Sequence, residues 1–154
     1  MALRKIRTEG DECLAKVCRR VDIFDKRLHI LLDDMKDTLR EADGLGLAAP
    51  QVGILKRVVV IVKENGEMLE LVNPEIIATN GSYVASEGCL SVPGVVGTVE
   101  RPLKTTVKAF DRNGNEFEFT GEGLYSKCLC HELDHLDGVL YTSKVIEYID
   151  PEEE

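Results

Sequence analysis

The segment His131-Glu132-Leu133-Asp134-His135 constrains this chain more than any other, because its two histidines act together only if the backbone between them is helical. At about 100° per residue, His135 lies about 40° around a helix from His131, and Glu132 lies about 100° away at the border of that face. A helix thus aims both imidazoles at one point and sets a carboxylate beside it. This H-E-x-x-H arrangement holds a metal ion and puts a general base next to its water. The same five residues also fit an ordinary helix with two partly buried histidines and a surface glutamate. Leu124 and Cys128 fall on the histidine side, while Leu129 and Leu136 form the adjoining apolar surface that seats the helix in a core. Gly121 or Gly123 opens this helix, which runs to about Asp137, and Gly138 is its stop signal.

A second helix is predicted from Asp25 onward, where Leu28, Leu31, Leu32, Met35 and Leu39 recur at three- and four-residue steps and charged residues fill the other side. It ends near Asp43-Gly44. Between the helices the pattern turns to strands. Arg57 to Val62 is rich in β-branched residues, and Asn65-Gly66 joins it as a hairpin to Met68 to Val72. Asn113-Gly114 joins Thr105 to Asp111 with Glu116 to Thr120 in the same way. Ser82 to Ala85 and Thr98 to Glu100 are further strands, with Gly88 to Gly97 expected as the stretch between them. Strands clustered between helices, with hairpin turns, predict an α+β fold with antiparallel pairing.

A chain of 154 residues with 44% apolar and 31% charged residues fits a single domain spanning 1–154. The net charge of −9 and the tail Asp150-Pro151-Glu152-Glu153-Glu154 argue against direct nucleic-acid binding through a basic surface. No apolar run approaches the roughly 20 residues of a membrane span, and charged residues follow Met1 at once. Cysteines 13, 18, 89, 128 and 130 form no paired framework, so reduced thiols and a cytoplasmic location are expected. Cys13, Cys18 and Cys130 read as structural, and His29 as a surface or boundary residue on the first helix.

Two imidazoles need a third protein ligand. Only 19 residues follow His135 and none is a histidine, so a ligand from that side is Glu147, Glu152 or another carboxylate, as in a zinc peptidase. Upstream, Glu87-Gly88-Cys89-Leu90-Ser91 offers a thiol in a glycine-adjacent segment.

Three segments in order, Gly44-Leu45-Gly46-Leu47-Ala48-Ala49-Pro50-Gln51, Glu87-Gly88-Cys89-Leu90-Ser91 and His131-Glu132-Leu133-Asp134-His135, make the chain resemble the peptide deformylase family over nearly its whole length. The resemblance implies antiparallel sheets packed around a central metal-binding helix, with an N-terminal amphipathic helix. It implies that Cys89, His131 and His135 bind one divalent metal, Fe(II) being favoured and zinc, nickel or cobalt able to occupy the site. The activity implied is removal of the formyl group from the formyl-methionine of newly made polypeptides, in transient proximity to the ribosome and with no membrane partner. Glu132 then moves the proton, while the Gln51 amide and the Leu90 backbone N–H stabilise the oxyanion. Gly44, Leu45 and Gly46 pair with the substrate main chain, and Leu45, Leu124 and Cys128 wall the methionine side chain. Asp134, off the metal face by the angular count, is expected either in an ion pair, with Arg101 as the partner, or as a solvated surface carboxylate. The competing classes are a metalloprotease with another third ligand and a binding module with a closed four-ligand metal site.

Overall fold

Val58-Val59-Val60-Ile61-Val62 shows no polar alternation, and its surroundings explain why: both faces of this strand are covered. In the computed structural model, which describes residues 2–149, Val58 and Val60 pack with Leu28, Leu31, Leu32, Met35 and Leu39 of helix α1 (Lys26–Ala42). On the opposite face, Val59 and Ile61 pack with Leu129, Leu133 and Leu136 of helix α2 (Leu124–Leu136). The acidic tail at 150–154 lies outside the described residues.

Helix α1 starts where the Asp25 carboxylate accepts the Leu28 N–H at 3.2 Å. It stops at Asp43, whose left-handed backbone (φ 55°) turns the chain away.

The strand of valines is β2 (Val58–Val62), second in a five-stranded antiparallel sheet ordered β1-β2-β3-β6-β7. The other strands of that sheet are β1 (Gly46–Ala48), β3 (Met68–Asn80), β6 (Lys104–Phe110) and β7 (Glu116–Glu122), of which β1 and β3 flank β2. A second antiparallel sheet, β4-β5-β8, is built from β4 (Tyr83–Cys89), β5 (Val92–Arg101) and β8 (Glu147–Ile149). Helix α2 packs on β1, β2, β6 and β7 of the first sheet and reaches β5 of the second. The fold is α+β, with antiparallel sheets and two α-helices.

Three departures from the sequence reading have local causes. The stretch from Gly88 to Gly97 is a hairpin instead of a connection, turning at Leu90-Ser91 with Cys89 opposite Val92. Strand β3 continues past Val72 to Asn80 because Asn73 absorbs the break. That residue takes φ 50° and clamps Val21 through both its amide oxygen (2.8 Å) and its amide nitrogen (2.9 Å). Strands β1 and β8 have three residues each, too short for alternation to register. Among the described residues no helix is long and apolar enough to cross a membrane.

Candidate active site

Three pieces of chain meet at one end of α2. The helix contributes His131, Glu132 and His135, all buried. The β4–β5 hairpin contributes Glu87, Cys89, Leu90 and Ser91, and β1 with the 3₁₀ turn Ala49–Val52 contributes Gly46 and Gln51. Cys89 Sγ lies 3.3 Å from His135 Nε2, and one ligand atom each from Cys89, His131 and His135 falls within 4.8 Å of the others. A thiol and two imidazoles converging this closely suit several divalent ions of borderline softness. Glu147 is exposed on β8 opposite Thr98 and is not part of this cluster, and Glu152 lies outside the described residues.

The two imidazoles are held differently. His131 Nδ1 is 2.9 Å from Glu87 Oε1, an orientation that directs Nε2 toward Cys89. Glu87 is itself gripped by Arg101 Nε at 2.7 Å and Nη2 at 2.9 Å. Arg101 continues to Asp134 at 2.8 Å, and Asp134 to Lys144 at 3.2 Å. The Asp134–Arg101 pair anticipated from the helix geometry is therefore present, as the outer part of a chain of charges ending on His131. Burial opposes ionisation of Glu87, but Arg101 and His131 outweigh it and hold the carboxyl down to about 2. Burial also disfavours a charged His131, yet hydrogen bonding to Cys89 and Glu87 raises it to about 10. His135 has no such support, and burial, with the neighbouring His131, drives it down to about 3.

Glu132 is 4% exposed, and its Oε1 has no hydrogen-bond partner among the described residues. Burial pushes its carboxyl up to about 7. Gln51 is fixed at both ends: Oε1 accepts the Ala48 N–H at 2.9 Å, and Nε2 donates to Ser91 Oγ at 3.1 Å, with Cys89 Sγ 3.7 Å away. The amide nitrogen thus faces the thiol and the imidazoles.

Beside these groups opens a cavity of about 540 Å³, lined among others by Gly44, Leu45, Gly46, Leu90, Cys128 and Glu132. Burial raises the Cys128 thiol far above its ordinary range, so it stays protonated and acts as an apolar surface. Leu124, expected in the same wall, opens α2, is 42% exposed and is not part of the lining. It lies one turn before Cys128, which does line the cavity.

Glu87 and Ser91 were quoted in the sequence motif without a role, although a carboxylate two residues before Cys89 on a strand carries a usable signal. Tyr141 was missed. It is buried, donates its hydroxyl to Val95 O at 2.9 Å and packs its ring 5.8 Å from that of His131.

The family model for polypeptide deformylase matches residues 3–149. The chain belongs to this family. It is 61% identical to the peptide deformylase of Caldicellulosiruptor bescii over 99% of this chain and 92% of that one. It is 53% identical to that of Acetivibrio thermocellus over 99% and 89%. The crystal structure of a peptide deformylase from Legionella pneumophila superposes with a TM-score of 0.90 at 48% identity, covering 93% of this chain and 86% of that one. The family's fold is thus the fold described above, and its metal dependence matches the Cys89, His131 and His135 cluster.

Proposed function

We propose that this chain removes the formyl group from the formyl-methionine of newly made polypeptides, releasing formate, with Cys89, His131 and His135 holding one divalent metal ion. The observation that carries this reading is the convergence of one thiol and two imidazoles beside a buried carboxylate, in a chain of the deformylase family. Fe(II) is the favoured ion, and zinc, nickel or cobalt suit the same donors. The family match over nearly all of the chain supports one catalytic domain, with its sheets arranged around a metal-binding α2.

A formamide resists water because the nucleophile is weak and the amine leaves poorly, so a nucleophile, oxyanion stabilisation and a proton must all be supplied. When bound, a divalent ion supplies Lewis acidity that makes water nucleophilic near neutral pH. Glu132, with one carboxylate oxygen left free by the protein, takes the proton and passes it to the departing α-amine. Gln51 donates from Nε2 to the developing oxyanion, because its Oε1 is already committed to Ala48. The Leu90 N–H, in the turn next to Cys89, is the second donor. The edge at Gly44, Leu45 and Gly46 pairs with the substrate main chain in strand fashion, which leaves side-chain choice to pockets. Leu45 and Cys128 contribute the apolar wall for methionine. Work on chains as they are made places the protein in the cytoplasm, in transient proximity to the ribosome.

The test is formate release from a formyl-Met tripeptide by Fe(II)-loaded protein prepared without oxygen, run beside the unformylated peptide and the Glu132→Gln variant. Formate from the wild type alone, with peptide bonds intact, is the expected result. Failure to release formate by protein carrying one metal per chain would remove the assignment, and wild-type turnover by Glu132→Gln would remove Glu132 from proton transfer.

A further inference from the structure

His135 is placed with less help than His131. Among the described residues no protein acceptor reaches its buried Nδ1, and its polar contact is through Nε2 to Cys89. A metal-binding imidazole is ordinarily aimed by a hydrogen bond at its other nitrogen, as Glu87 does for His131. The aim of His135 therefore depends on the backbone that carries it. That backbone is the last turn of α2, where the final carbonyls have no donors within the helix.

Those carbonyls are satisfied from outside. Asp134 O accepts from Asp137 N–H and Val139 N–H, and His135 O accepts from Gly138 N–H. Gly138 takes φ 75°, and a Cβ there would come within 2.7 Å of the Ala15 backbone, so the turn is pressed against the N-terminal segment. Leu136 O, the carbonyl directly after His135, accepts from Cys18 N–H at 2.8 Å and from Arg57 Nη1 at 3.1 Å. The same guanidinium nitrogen lies 3.0 Å from Asp137 Oδ1 and 3.5 Å from Cys18 O.

Arg57 is itself firmly anchored. Its N–H donates to Arg19 O at 2.9 Å and its carbonyl accepts from Asn73 N–H at 2.7 Å. It leads directly into β2, which pairs with β1 through Gly46 opposite Ile61 and Ala48 opposite Val59. Ala48 N–H is the group that orients Gln51. One strand therefore connects the end of α2 with the edge carrying Gln51, and its cation sits where the helix dipole favours one.

We propose that Arg57 is a positioning residue for His135: it fixes the last turn of α2 against β2 and so sets the imidazole at its metal-binding position. The proposal rests on His135 being a metal ligand, as inferred above.

Cobalt(II) tests this without relying on turnover, since its visible absorption reports ligand geometry and chelator competition reports affinity. Arg57→Ala, Arg57→Lys, Asn73→Ala and His135→Ala are compared with wild type at temperatures where each gives a native circular dichroism spectrum. Asn73→Ala removes both side-chain bonds to Val21 and so loosens the N-terminal segment, while the backbone bond from residue 73 to Arg57 O and the Arg57 guanidinium at the end of α2 are kept. Arg57→Ala is expected to weaken cobalt binding about 10–100-fold and to shift the absorption bands, as loss of other supports to metal ligands does. Arg57→Lys keeps the charge and one nitrogen donor on a shorter side chain without the planar guanidinium that aims it, so it should recover part of that loss, and Asn73→Ala should bind as wild type does.

Cobalt affinity and bands unchanged in both Arg57 variants would overturn the proposal. So would an equal loss of affinity in Asn73→Ala at a matched loss of Tm, which would make the effect one of general stability. If Arg57→Ala fails to fold, the Arg57→Lys comparison decides alone. His135→Ala is expected to abolish the wild-type bands, and their survival there would show that the ligand assignment, not the positioning argument, had failed.

Discussion

Gln51 is a residue whose surroundings leave its amide one orientation. Its oxygen takes the Ala48 N–H, so the nitrogen must face Ser91 and Cys89, where an oxyanion donor is needed. Gln51→Ala is expected to lower kcat about 10²–10³-fold, the cost of one such donor, with KM changing far less. A fall in KM-dependent terms alone, with kcat intact, would show that Gln51 binds substrate without stabilising charge. Cys89 is decided at the same scale by metal content. Cys89→Ala leaves two imidazoles, and should lose the tightly held metal equivalent after dialysis against a chelator that wild type withstands. Retention of one equivalent with an unchanged cobalt spectrum would remove Cys89 from the ligand set.

At the scale of elements, β1 approaches α2 so closely that only glycine fits. A Cβ on Gly46 would lie 2.7 Å from Glu132 Oε2 and 2.9 Å from Cys128 Sγ, between a paired strand and a buried helix. Gly46→Ala should therefore cost about 1–3 kcal/mol in urea unfolding and most of the turnover, because the side chain displaced is the one proposed to carry the proton. Wild-type formate release by this variant would show that β1 can retreat without disturbing Glu132. The glycine was legible in the sequence as part of a motif, but its reason was not, since close approach of two elements distant in the chain leaves no periodicity. The strong local patterns did locate their elements: Leu28, Leu31, Leu32, Met35 and Leu39 line the buried face of α1, and Asn113-Gly114 joins β6 to β7. Cys89, His131 and His135 lie together, and Glu132 lines the cavity beside them. What local pattern could not supply was the partner choice of side chains that meet through the fold. Glu87 supports His131 across 44 residues, and Leu124 shares an angular face with the histidines yet stays 42% exposed at the start of α2.

The whole molecule is also tied by charge away from the site. Arg112, just past β6, contacts Glu70 through two nitrogens, at 2.9 Å for the first pairing, and reaches Asp33 on α1 at 2.8 Å. Lys36 of α1 meets the same Glu70 at 2.6 Å, so one carboxylate on β3 links a helix to two strands' worth of sheet. Burial alone would raise the Glu70 carboxyl, but Arg112 and Lys36 outweigh it and leave it below its ordinary value of 4.5. A carboxyl depressed in the folded state stabilises the fold above the unfolded value, and that contribution is lost as pH falls through the folded value. Glu70→Gln is accordingly expected to be less stable by about 1–3 kcal/mol at pH 7, since it abandons two partly buried cations. The difference from wild type should narrow as pH drops below about 4.5, where protonation removes the same charge from the native protein. Urea unfolding of metal-free wild type and variant across that range, with the metal site protonating equally in both, isolates the term. A gap that stays constant down to the lowest pH at which both fold would mean that Glu70 contributes through packing and not through its charge.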